Sequence, residues 1–332
     1  MKWGFKSLIL GLLVITSFLS FPTLVSAASG DVLGVHILHP YEIDDAKKLI
    51  TDEAKPDEWQ YVTIPLSLND LDKKDEWQGF LNAAKEKKII PIVRLTSRFE
   101  NGAWKVPNRK EIVLLMTFLK KQDWPTDQRH VVMFNEVNHA KEWGGTINPE
   151  EYADILSFAA DWAHAEGKNF VVLPAAMDLA APNGTETMEA FTYLNRMHAY
   201  NPDIFHKIDV WNSHSYPNPG FSSSPERTAQ NSLRGFEHEL KFIKDKTGRD
   251  LQVMITETGW IANRQTSRWL EEYYLYALQH VWSHPQVIAV TPFLLRGDPG
   301  PFSNFTFLDR NNQPTVQYLA FKKAVQRARS GS

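Results

Sequence analysis

Eight short apolar runs, recurring roughly every 30 to 45 residues, limit what this chain can fold into more than any other feature of it. They begin near Val32, Tyr61, Ile89, Val131, Phe170, Ile208, Leu251 and Val287. Most are continuous rather than alternating, as strands covered on both faces are. Between them lie segments with helical periodicity. After the fourth run, Asn148 stands where an N-cap belongs, Pro149 takes the first helical position, and Glu150 and Glu151 fill the first turn. Tyr152, Ile155, Leu156 and Ala159 then follow at i, i+3, i+4, i+7 spacing. Further helices are expected over 45–50, 77–87, 111–121, 233–246 (closing on Gly248), from Arg268 towards Pro285, and over 317–327. Strands alternating with helices in this way predict an α/β chain folded as a (β/α)₈ TIM barrel, for which about 250 residues is typical. No Gly-rich phosphate loop follows the first run, which argues against an open, doubly wound sheet.

The N-terminus stands apart from that pattern. Lys2 and Lys6 precede an apolar stretch over 7–21, and Val25 and Ala27 put small residues where a signal peptidase reads. Residues 1–27 are therefore expected to be a secretory signal peptide cleaved after Ala27, leaving 28–332 as one barrel domain. The apolar stretch, about 15 residues, is short for a spanning helix. Export, with no stable membrane insertion after cleavage, is the expectation. Losing Lys2 and Lys6 from 36 basic residues, against 39 acidic ones, leaves the mature chain at about −5, which disfavours nucleic acid as a partner. The chain has no cysteine, so neither disulfides nor a thiolate metal site can stabilise it.

A barrel of this kind builds its active site from the carboxyl ends of its strands. Those ends are unusually polar here. The third run ends near Arg94, the fourth at Asn135 and Glu136, the sixth at His214 and Tyr216, and the seventh at Glu257, with Trp260 just beyond. Strands four and seven are on opposite sides of an eight-stranded ring, so Glu136 and Glu257 are expected to face each other across its mouth. Two such carboxylates suit glycoside hydrolysis, one as proton donor and the other as nucleophile or base. A separation of about 5 to 5.5 Å would give retention of configuration and about 6.5 to 9.5 Å inversion. His214 and Tyr216, two apart on a strand, share a face. The Tyr216 hydroxyl or the Arg94 charge could hold one carboxyl ionised. The indoles of Trp143 and Trp260 are candidate platforms for a sugar face, whereas Trp211, in mid-strand, is expected in the core. His36 and His39 lack the neighbours a metal site would need. The segments 217–227 and 296–307 are the expected walls of a cleft.

Taken together, Phe134-Asn135-Glu136-Val137-Asn138, His214-Ser215-Tyr216 and Thr256-Glu257-Thr258-Gly259-Trp260 resemble the motifs of the clan A glycoside hydrolases, which include cellulases, mannanases and β-xylosidases. That resemblance implies a retaining enzyme for β-linked oligo- or polysaccharides that uses no cofactor. It implies Glu136 as general acid/base, Glu257 as nucleophile, Asn135 as the partner of the sugar 2-hydroxyl, and His214 and Tyr216 as supports for substrate and nucleophile. Two positions depart from the pattern. Phe293 stands where many members carry a tryptophan at the end of strand eight, and strand two offers Pro65, Leu66 and Ser67 where an arginine is common, with Arg94 on strand three available instead. A barrel that binds carbohydrate without turning it over is the alternative reading.

Overall fold

The computed structural model describes residues 32–51, 58–167, 169–297 and 300–330. The expected signal segment, 1–27, lies outside the described residues. No helix among the described residues is long and apolar enough to cross a membrane.

Parallel strands form where the apolar runs predict them. They are β1 (Gly34–His36), β2 (Gln60–Leu66), β3 (Ile89–Leu95), β4 (Arg129–Met133), β5 (Phe170–Pro174), β6 (Trp211–Ser213), β7 (Val253–Ile255) and β8 (Val287–Val290). The first five make one continuous parallel sheet and the last three another. Single parallel bridges close the two into a barrel: Leu33 with Val290 joins β1 to β8, and Asp178 with His214 joins the ends of β5 and β6. The backbone of Val290 also donates to Val32 (2.7 Å) and that of His36 to Pro292 (3.0 Å).

Alternation along each strand divides the apolar residues into two cores. Tyr61, Ile90, Ile92, Val132, Leu173 and Met254 belong to a small cluster inside the barrel. The larger cluster lies between the strands and the helices α1 (Ile43–Ile50), α2 (Lys74–Glu86), α3 (Arg109–Lys120), α4 (Pro149–Ala165), α5 (Ala190–Tyr200), α6 (Gly235–Thr247), α7 (Leu270–His280) and α8 (Val316–Ser330). The interior is tight enough to dictate a glycine. A Cβ on Gly34 would stand 2.3 Å from the Tyr61 carbonyl oxygen and 2.7 Å from Thr291, closer than any side chain can pack. Thr63 and Thr291 share a buried hydrogen bond of 2.7 Å across the same space.

The helix signals hold at their ends. Asn148 accepts from the Glu151 amide at the start of α4, Asn108 and Glu111 form a reciprocal capping box on α3, and α6 stops at Gly248 with φ of +72°. Two elements have no counterpart in the sequence reading. One is α5, whose inward stripe of Tyr193, Leu194 and Met197 is short. The other is a hairpin pairing Phe99–Glu100 with Ala103–Trp104, inserted between β3 and α3 on the carboxyl side of the barrel.

Candidate active site

Residue parity places the first functional side chain. Ile90 and Ile92 of β3 point into the barrel, so Arg94, next in that alternation, reaches the upper rim of the interior. Its register partner on β2 is Pro65, which has no charge to offer. One guanidinium nitrogen, Nη1, donates to Asn135 Oδ1 and to Glu257 Oε1, at 2.6 Å each. Arg94 thus occupies the place beside the nucleophile candidate that the strand-two residues leave unfilled.

Beyond β4 the chain turns sharply. Phe134 has φ of +75° and Glu136 φ of +31°, both in the region that side chains avoid, at a cost of roughly 1–3 kcal/mol each. The turn buries Phe134 outward against Trp143, while Asn135 and Glu136 face the cleft. His214, just past β6, sits between the two glutamates: its Nδ1 is 3.0 Å from Glu136 Oε1 and 3.7 Å from Glu257 Oε2. Tyr216 donates its hydroxyl to Glu257 Oε2 at 3.1 Å. One oxygen of each glutamate and His214 Nδ1 all lie within 4.8 Å of one another.

Charge then separates the two carboxyls. Burial alone would raise the Glu257 pKa, but the positive charges of His214 and Arg94 outweigh it and hold the group down to about 2. Burial would lower His214, yet the Glu257 charge and the bond with Glu136 raise it. His36, on β1, lies 3.6 Å from Glu257 with its ring edge against Phe293. Burial pushes it down to about 3, so at ordinary pH it is chiefly neutral beside Glu257. Glu136, His214 and Glu257 are also the group among the described residues best placed to hold a cation. The Arg94 and Tyr216 donors already occupy both oxygens of Glu257, which disfavours a cation there.

A cleft of about 610 Å³ surrounds these groups. Arg94, Asn135, Glu136, Tyr216 and Glu257 line the cleft, and His214 supports them from beneath. Trp143 and Trp260, expected as sugar platforms, do not reach it. Both are fully buried: Trp143 donates to Glu151 and packs on Phe134 and Tyr152, and Trp260 donates to the Ser223 carbonyl amid Tyr273, Tyr274 and Trp282. Each follows a polar strand end closely enough to have looked accessible, but apolar neighbours on α4 and α7 draw the indole into the outer core. Trp211 is buried, as read.

Other residues enter the cleft without having been singled out. Trp104 arrives on the hairpin after β3. His139 and Asp178, paired at 2.9 Å, face it from beyond β4 and β5; their hydrogen bond raises the histidine, and it lowers the aspartate against the effect of burial. Glu142 is raised by burial and then by Glu136 nearby. None stands at a run's end, so no periodic signal marked them. The expected wall segments do border the cleft, through Phe221 on one and Pro301, Phe302 and Phe305 on the other.

No family model matches this sequence, and no curated protein matches it. Solved structures do. A Streptomyces cattleya GH5_18 protein in complex with GlcNAc superposes with a TM-score of 0.61 at 16% identity, over 91% of this chain and 81% of that one. A Sorangium cellulosum GH128 endo-β-1,3-glucanase gives 0.57 at 13%, covering 89% and 98%. A Thermomonospora fusca β-mannanase with mannohexaose gives 0.53 at 12%, covering 90% and 92%. These structural neighbours are clan A glycoside hydrolases, the group that the strand-end motifs resemble, and the chain shares their TIM-barrel fold.

Proposed function

We propose that this chain is an exported glycosidase that hydrolyses β-linked sugars with retention of configuration. One observation carries the reading: a carboxylate oxygen of Glu136 and one of Glu257 lie within 4.8 Å of each other across the barrel mouth, nearer the spacing of retaining than of inverting carboxyl pairs. The different surroundings of the pair assign the roles. Glu257, held ionised by Arg94 and His214, is the nucleophile that forms a bond to the anomeric carbon. Glu136, more open to the cleft, protonates the departing oxygen and then takes a proton from the water that releases the sugar. Asn135 is held with its carbonyl towards Arg94, and its amide nitrogen, which makes only a long bond of 3.5 Å to Glu142, is the donor for a sugar hydroxyl. Tyr216 keeps the nucleophile aligned. The fold shared with glycoside hydrolases supports this reading, and the signal-like leader supports export.

The test is the stereochemistry of the first product. Followed by NMR on a β-glycoside, the β-anomer of the released sugar should appear before mutarotation. An α-anomer formed first would overturn the mechanism. In a Glu136→Ala variant, azide should restore turnover of an activated aryl glycoside and yield a β-glycosyl azide; failure to do so would remove Glu136 from its role.

A further inference from the structure

The cleft has two unlike walls. The loops after β3, β4 and β5 contribute Thr96, Ser97, Asn135, His139, Glu142 and Asp178, a surface of donors and acceptors with Trp104 beside it. The loops after β6, β7 and β8 contribute Phe221, Ile261, Phe293, Pro301, Phe302 and Phe305. Among the described residues, the polar side chains lining that second side are Tyr216 and Glu257, which are bonded to each other. Several of its backbone amides are also engaged. The amides of Ile261, Phe293 and Phe305 donate to the carbonyls of Phe221, Thr258 and Phe302, that of Phe221 donates to Asn218, and Pro301 has none. The rings pack edge to face, with Phe221 on Phe305 at 5.3 Å and Phe293 on Phe302 at 5.1 Å, and Phe302 is left 47% exposed.

A pyranose could lay only its C–H face on these rings, and any hydroxyl buried among them would cost about 1–3 kcal/mol for want of a partner. A hydrocarbon would lose nothing. Resting on the glycosidase reading above, we propose that the substrate is an amphipathic β-glycoside: the sugar meets the polar wall, and an alkyl, acyl or aryl group attached to it meets the phenylalanine wall. That group has two possible sources, the leaving group itself or an acyl ester on the reacting sugar.

The purified chain should be offered octyl and methyl 1-thio-β-glycosides of glucose, mannose, galactose and xylose, below the micelle concentration, with binding followed by calorimetry. These resist hydrolysis, so they report the wall independently of turnover. The octyl compound of at least one sugar should bind about tenfold or more tightly than its methyl counterpart, as burial of several methylenes requires. Phe302→Ser and Phe221→Ser should weaken the octyl ligand several-fold more than the methyl one. In parallel, hydrolysis of octyl against methyl O-glycosides tests an apolar leaving group, and that of 6-O-octanoyl against unacylated nitrophenyl hexosides tests an acylated sugar. Octyl and methyl ligands binding alike, with β-linked trisaccharides cleaved as well as any alkyl or acyl glycoside, would overturn this proposal and leave the glycosidase reading standing. Octyl-selective binding without hydrolysis of any compound would uphold the wall and overturn the glycosidase reading.

Discussion

Glu136 and Glu257 are the same residue type at equivalent strand ends, yet the barrel treats them oppositely. The Glu136 side chain is 25% exposed, rides on a backbone with positive φ, and has His214 as its one hydrogen-bond partner. The Glu257 side chain is 10% exposed and is held on both oxygens, by Arg94 on one and Tyr216 on the other, with His36 and His214 close by. Under the double-displacement reading, the difference draws two chemical roles from one side chain: the group that would give and recover a proton is left loosely held near solvent, and the group that would stay charged while shielded from water is surrounded by fixed donors.

The largest expected effects strike the pair itself. Glu257→Ala should lower kcat by roughly 10⁴-fold or more on every substrate, because no second nucleophile replaces it. Glu136→Ala should fall as far on glycosides with poor leaving groups, but by only about 10²-fold in the first step on dinitrophenyl glycosides, which leave without protonation. Equal losses on both substrate types would erase the contrast between the two carboxyls.

Arg94→Met probes what holds Glu257 charged. A loss of about 10²-fold in kcat is expected, as for removal of one fixed donor from a developing charge. The pH profile is more telling. Glu257 must be ionised to attack, and with the guanidinium gone, burial is opposed mainly by His214 and the Tyr216 hydroxyl. Its pKa therefore rises from about 2, and the acid limb of kcat/KM moves to higher pH. An unmoved acid limb would mean that Arg94 only positions Asn135. Tyr216→Phe removes one neutral hydrogen bond and should cost about tenfold in kcat with little change in KM. The smallest kinetic effect belongs to Trp260→Phe. Its indole lies in the outer core, so it should lower stability by about 1–3 kcal/mol in urea unfolding while KM stays within about twofold. A large rise in KM would return Trp260 to the cleft.

The sequence made the strands legible because a buried parallel strand is a local signal: four or five apolar residues in a row suffice. It also made the rim legible, since Asn135, Glu136, His214 and Glu257 interrupt such runs where packing alone would not put them. The two tryptophans misled because an indole beside a polar motif looks the same in sequence whether it turns to the cleft or to the helix layer; Trp143 turns to Phe134 and Tyr152, and Trp260 to Tyr274 and Trp282. Trp104 was invisible for a related reason. It rides a two-residue strand pair too short to leave a period, and only the three-dimensional path of the loop after β3 brings it to the site. His36 read as an isolated histidine because its partner, Glu257, lies at the far end of the sequence and meets it only when β8 closes against β1.

The single nitrogen of Arg94 shared by Asn135 and Glu257 has a consequence for sugars altered at carbon 2. Under the double-displacement reading, a 2-hydroxyl that draws on the Asn135 amide also tensions the guanidinium and, through it, the attacking carboxylate. Recognition and attack are then two ends of one lever with Arg94 as its fulcrum. A 2-deoxy sugar would forfeit more than one hydrogen bond, because the nucleophile would also lose the pull that aims it.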